Sequence, residues 1–566
     1  MRRPGLLVML ALLVGTAVLI GVLGFDDERF SHASETELEE SPLQTTPTGA
    51  PVPRDQGAPP EVAAAARQWP LPNHDYANTR ATSDSAIDSS TVGSLGLGWY
   101  RTLRAHSLWG AAASAPVIAG DVVYFQDLHS DVMALDLATG QTRWKKDISQ
   151  EAFGPNGLGI GYGKVFIQDG ENDLRALDIG SGREVWRRPL GGPTGQQAPI
   201  AYAGTVYTGI ASGRKIRTTR ENQKTRLVAG GSSGWIYAAR ADDGELIWDF
   251  QTVAEDFWGD RKVNSGGGVW FPPAIDTATG MTYWSTGNPA PGPGTRENPN
   301  GESRPGDNLY TDTVLAMGGG DGALAWHNQV KPHDMFHHDL QNPPILITAG
   351  GRDLVVASGK GGKVRAIDRR TGATVWDRKV GIHRNDELRK LPADDSPVTV
   401  YPGFWGGIET PGATDGKTLY FITENLPTPY TATAWRSRDA FENVQNMEGR
   451  TPLDKGTSEV VAIDAATGRI RWTHPFGQIG FGATTVVNDL VFTATYDGTV
   501  YALRTGDGSV AWHWRAPAGI VGFPAVSGDT IVWPAGLGRD PVLFAIKLGG
   551  KEKVVPPKTR VEDPGR

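Results

Sequence analysis

Pro332 to Gln341 reads PHDMFHHDLQ, and the stretch from Pro332 to Asp339 alone holds three histidines and two aspartates. No other part of the chain concentrates proton-active and metal-competent groups so densely. An imidazole titrates near neutrality and suits general-base work, and a carboxylate can take a proton from a hydroxyl. Three uses of the stretch stand open: a base, His337 or Asp339; a transition-metal site from His333, His337 and His338; or a structural loop without chemistry. A metal site needs ligands held on one rigid face, and a loop gives no reason for three imidazoles to converge. Two glycine-rich stretches are simpler. GGSSG, Gly230 to Gly234, matches the nucleophile-elbow pattern but precedes a strand rather than a helix, and SGKGGK lacks P-loop spacing. Both read as turns.

The elements that must position these residues show themselves as a repeat. VMALDLATGQTRW (132–144), LRALDIGSGREVW (174–186), IYAARADDGELIW (236–248), VLAMGGGDGALAW (314–326), VRAIDRRTGATVW (364–376), VVAIDAATGRIRW (460–472) and VYALRTGDGSVAW (500–512) each place a turn glycine four residues before a tryptophan. Alternating strand, positive-φ turn and aromatic-ended strand make a hairpin. A second hairpin precedes most copies, as in APVIAGDVVYFQD, so each unit is a four-stranded antiparallel blade. The shorter tryptophan spacings match one propeller blade, and the longer ones carry insertions. An eighth unit is split between LGLGWY, with Trp99, and VLFAIKLGG near the far end. Strands from both ends closing one blade would protect the open sheet edges. The reading is all-β, one eight-bladed β-propeller over 68–550, with the tryptophans as inter-blade packing.

Composition agrees. Gly 73 and Trp 18 point to many tight turns with aromatic anchors, and a net charge of -8 argues against a nucleic-acid binder. With no cysteine, disulfides, thiolate metal sites, cysteine nucleophiles and c-type haem attachment are all excluded. The uncharged run from Gly5 to Phe25, 21 residues after Arg2 and Arg3, is long enough to cross a bilayer. An acidic flank follows, so the expectation for 1–25 is an N-terminal transmembrane helix with the propeller on the extracytoplasmic side of the cell membrane. Its rival is a signal segment cleaved to leave a secreted protein. Residues 26–67 and 551–566 read as a disordered linker and tail.

The A-x-D-x-x-T-G-x-x-x-W repeat resembles that of pyrroloquinoline quinone (PQQ) proteins of the quinoprotein alcohol dehydrogenase superfamily. GGGVWFPPAIDTATGMTYWSTGNPAPG, then RPGDNLYTDT and KPHDMFHHD, resemble that family in order and spacing. The resemblance implies PQQ stacked on Trp270, Asn288 as a Ca²⁺ ligand and cofactor neighbour, and Lys360 as donor to the quinone oxygens. It also shows departures. The family's aspartate base aligns with His337, leaving Asp339 two residues on, and its calcium-ligating glutamate aligns with Lys215, with Glu221 as a substitute. A Ca²⁺ left with one neutral amide beside an ammonium would be poorly held, and the Lys215 ammonium could take the cation's place. Two functions follow. One is a dehydrogenase of a small alcohol or sugar with a partly degenerate PQQ site; the other is a non-catalytic propeller binding a protein partner in envelope assembly.

Overall fold

The computed structural model describes residues 57–107, 109–191, 195–211, 233–253, 264–294, 297–394, 396–432 and 452–552. The expected membrane segment, most of the linker, Lys215, Glu221 and the last fourteen residues lie outside them. Among the described residues, no helix is long and apolar enough to cross a membrane. Pro60–Ala64, within the stretch read as linker, is a short helix that buries Val62.

Eight four-stranded antiparallel blades follow one another along the chain, and the short strand Ala81–Thr82 adds a fifth, parallel strand to the sheet that holds Thr485–Val487. Blade 1 comprises Val117–Ala119, Val122–Gln126, Val132–Asp136 and Thr142–Lys146. Blades 2 and 3 begin at Leu158–Gly161 and Ile200–Tyr202, blade 4 at Ala274–Asp276 and blade 5 at Ile345–Ala349. Blades 6 and 7 begin at Ala413–Thr414 and Thr485–Val487. Blade 8 takes Ala525–Ser527, Thr530–Ala535 and Val542–Leu548 from the C-terminal side and Leu95–Thr102 from the N-terminal side, the last two paired antiparallel. The split blade expected from the sequence is present.

The repeat motif makes the joints between blades. Trp99 Nε1 donates to Leu137 O at 2.8 Å, and Trp144, Trp186, Trp248, Trp326, Trp376 and Trp472 make the same bond to the blade that follows. Each indole also lies flat on that blade's turn glycine: a Cβ added to Gly182 would stand 2.5 Å from the Trp144 ring, and Gly182 itself has φ +70°. Glycine is therefore required twice over, for its backbone conformation and for the ring it admits. Trp512 faces the split blade, which has no such turn, and packs instead against the core shared with Leu95, Leu97 and Phe544.

The segment from Trp69 to Thr82 crosses the inner strands and ties them together. Its backbone bonds to Ile118, Ile275, Leu346, Thr414 and Val486, which belong to blades 1, 4, 5, 6 and 7. Arg80, fully buried, donates to the carbonyls of Pro72, Thr484 and Pro524 and to the side chains of Asn73 and Thr485. This plug occupies the axis at the level of the inner strands. The connections from each outer strand to the next blade, and the turns after each second strand, all emerge at the opposite end from the tryptophan turns, since strand direction alternates within a blade. The chemically loaded loops therefore share one face.

Candidate active site

Trp270 ends the run GGGVW just before the inner strand of blade 4. Gly287 N donates to Gly268 O at 2.7 Å and Gly267 N to Asn288 O at 3.1 Å, which zips TGNP against GGGVW. A Cβ on Gly268 or Gly287 would crowd the Trp270 Nε1 at 3.0 Å, and one on Gly268 would also meet the Ala211 Cβ at 2.9 Å. A Cβ on Gly287 would also collide with Asp339. The backbone is thus thinned where the indole edge, Asn288 and Asp339 meet. Phe153 packs on Trp270 at a ring separation of 5.9 Å. Trp270, Phe271, Asn156, Phe523 and Asn73 of the plug line a small, partly open pocket.

Asp339 is the centre of the polar site. Its Oδ1 accepts the Asn288 N–H at 2.9 Å, and its Oδ2 lies 3.1 Å from Lys360 Nζ and 3.4 Å from His337 Nε2. Lys360 N donates in turn to Asp339 O at 2.9 Å, tying the blade 4–5 connection to the turn after the second strand of blade 5. Lys360 is almost fully buried, its ammonium 4.8 Å from the Trp405 ring, 5.2 Å from that of Phe404 and 3.9 Å from Glu409 Oε2. Burial alone would lower its pKa, but the Glu409 and Asp339 carboxyls outweigh that and raise it. The lysine is a fixed cation.

His337 differs from Asp339 in kind. Its ring stacks on Phe404 at 4.0 Å and 23°, and its backbone sits at φ 63°. Burial, then the nearby Lys360 ammonium, pushes its pKa down to about 3 although 26% of the side chain reaches solvent. It is a neutral imidazole at physiological pH and a weak base. The other two histidines are engaged elsewhere: His333 faces the carbonyls of Gly306 and Asn300, and His338 faces Pro402 O at 2.9 Å with Lys331 against its other nitrogen. The three imidazoles do not converge, and among the described residues no group of three or more His, Asp or Glu side chains could hold a metal ion. The transition-metal reading of the loop is thereby corrected. Asp334 has a supporting role: it accepts the N–H groups of Phe336 and His338 at 3.1 and 2.7 Å and pairs with Lys331 at 2.8 Å.

The structure therefore brings together four of the expected residues, Trp270, Asn288, Asp339 and Lys360, with His337 at the edge. Lys215 lies outside the described residues. Sequence reasoning missed Glu409, Phe404 and Trp405, which come from YPGFWGGIET in the connection between blades 5 and 6. The residue types suit PQQ, a planar acidic quinone: a half-exposed indole among glycines, and a buried ammonium held by Asp339. They do not suit Ca²⁺, since the described oxygens near Asn288 form no cage and Asp339 already faces Lys360 and the Asn288 N–H.

A family model described as glucose/ethanol/alcohol dehydrogenase, β-propeller domain, matches residues 206–381, and one described as outer membrane protein assembly factor BamB matches 96–265 and 441–547. The chain is 26% identical over 541 residues to quinohemoprotein alcohol dehydrogenase ADH IIB of Pseudomonas putida, covering 83% of this chain and 73% of that protein. It is 24% identical to a lanthanide-dependent methanol dehydrogenase of Methylorubrum extorquens, covering 79% and 82%. The solved quinohemoprotein alcohol dehydrogenase ADHIIG of Pseudomonas putida shares the fold with a TM-score of 0.73 at 21% identity, over 88% of this chain and 83% of that one. With the repeat, the eight-bladed ring and these matches in agreement, the chain belongs to the PQQ-repeat β-propellers of the quinoprotein alcohol dehydrogenase-like superfamily.

Proposed function

We propose that this propeller is a PQQ-dependent dehydrogenase of a small alcohol or sugar, tethered at the cell membrane with its site on the extracytoplasmic side. The observation that carries the reading is the placement of the Asp339 carboxylate between the Asn288 N–H and the Lys360 ammonium, beside the Trp270 edge. When bound, PQQ supplies the two-electron acceptor for the hydride of the substrate carbon. Trp270 would offer it an aromatic face, and Lys360 a positive charge for its oxygens. Asp339 Oδ2 takes the proton of the substrate hydroxyl as that carbon is oxidised. The Lys360 contact orients Asp339, while neutral His337, wedged on Phe404, closes the side of the site and can donate or accept a hydrogen bond without adding charge. The sequence offered His337 and Asp339 equally as the base; the geometry and the depressed His337 pKa favour Asp339.

The direct test is PQQ binding to the full chain, followed by tryptophan fluorescence with and without Ca²⁺ or a lanthanide, and then oxidation of an alcohol and sugar panel with an artificial electron acceptor. Saturable binding and turnover support the assignment. Absence of binding under every metal condition would remove it and leave the propeller as a protein-binding scaffold.

A further inference from the structure

On the far side of Lys360 from Asp339, among the described residues, two carboxyls with an unpartnered oxygen have no part in the reaction outlined above. Glu409 lies in the connection entering blade 6 and Glu424 on that blade's second strand, Thr418–Asn425. Glu409 N donates to Glu424 Oε2 at 3.2 Å, and the Gln341 amide nitrogen reaches Glu409 O at 3.1 Å and Glu409 Oε2 at 3.5 Å. Oε1 of Glu409, Oε1 of Glu424 and Oε1 of Gln341 are all buried without a hydrogen-bond partner. Gln341 and Glu424 are 5% and 1% exposed.

Charge must balance here within a buried cluster. One ammonium, Lys360, faces Asp339 at 3.1 Å and Glu409 at 3.9 Å, with Glu424 behind Glu409. Of the other acids near Asp339, Asp334 is already paired with Lys331, and the fully buried Asp312 carboxyl is pushed up by burial and by the Asp334 and Asp339 charges; His337 is neutral. Asp339 faces two N–H donors and the His337 ring, whereas each glutamate has an oxygen with none. A buried carboxylate lacking donors is costly, and neighbouring carboxyls in such a place do not both ionise.

We propose that Glu409 and Glu424 form a proton-holding pair behind Lys360, and that Glu409 receives the proton Asp339 takes from the substrate. The inference rests on the dehydrogenase reading above. The transfer is balanced: protonated Asp339 returns its proton to Lys360 Nζ as Lys360 gives one of its own to the Glu409 carboxylate. Lys360 ends as it began, an ammonium, and no electrons move. Asp339 is then free to act again. Burial, opposed by Lys360 and reinforced by Asp339, pushes Glu409 up to about 8, and burial with the Glu409 charge raises Glu424 further. Glu409 is therefore open to a proton above about pH 8, and turnover should rise through that value.

Two measurements test it. Infrared difference spectroscopy on the full chain without PQQ should show a protonated-carboxyl C=O band at neutral pH that titrates near pH 8, weakened in E409Q and in E424Q. In the PQQ-loaded protein, E409Q should lower kcat at alkaline pH by about 10- to 100-fold and flatten the rising limb. KM and PQQ affinity should stay within about twofold, and E409D should restore the limb in part. A spectrum without that band, a band that neither substitution alters, or an E409Q enzyme that keeps the wild-type limb would overturn the proposal. If the wild type shows no turnover, the dehydrogenase reading and the relay fall together, and the infrared arm still decides whether the pair holds a proton.

Discussion

Asp339 and His337 stand two residues apart, yet their surroundings give them opposite characters. Asp339 is surrounded by donors; His337 is pressed on an aromatic ring beside a cation. D339N should keep the fold and the PQQ affinity while lowering kcat by about 10²- to 10⁴-fold, the range for loss of a positioned base, as read by steady-state turnover. H337Q should cost less than a tenth as much. W270A should weaken PQQ binding by about tenfold or more through the lost stacking face, measured by equilibrium dialysis. Glu409 carries a further consequence at this scale. Its folded pKa, about 8, exceeds the ordinary glutamate value of 4.5, so the native state holds a proton that the unfolded chain has released between those values. Stability should therefore fall as pH rises from about 4.5 to 8, and E409Q should flatten that slope in urea titrations.

At the scale of elements, the repeated hairpin shows why so much was legible. A turn glycine four residues before a tryptophan is the joint itself: the glycine takes the preceding indole, and the tryptophan makes the next joint. Period and physics coincide, so the blades, their number and the split eighth blade can be read directly. Substituting Gly182 or Gly372 by Ala puts a Cβ into the ring of Trp144 or Trp326 at φ +70° or +72°. Each should lower unfolding free energy by about 1–3 kcal/mol in denaturant titrations. The site was only partly legible, because its members come from connections with no period. PHDMFHHD drew notice by composition, whereas Glu409 and Glu424 have no such signal. GGIET looks like any loop, and Glu424 sits in an apolar strand, TLYFITEN, where a lone acid is the one oddity. The three histidines show the opposite error, where density in sequence suggested convergence that separate carbonyl partners prevent.

For the whole molecule, the plug from Trp69 to Thr82 matters as much as the blades. By bonding to five inner strands it fixes their spacing around the axis and lines the pocket at Trp270. R80M would strand the carbonyls of Pro72, Thr484 and Pro524 and should cost at least about 3 kcal/mol in urea unfolding, with a matching loss of PQQ affinity if the plug sets the cradle. The split blade bears on time rather than on energy. Leu95–Thr102 leaves the ribosome early, but its partner Val542–Leu548 arrives only when nearly the whole propeller has been made, on the order of tens of seconds later. Throughout that interval the first strand has an unmet edge and the ring no closure. Until its own far end is delivered that edge is open to a strand from another copy, so the order of synthesis, and not only the final contacts, governs how the circle closes.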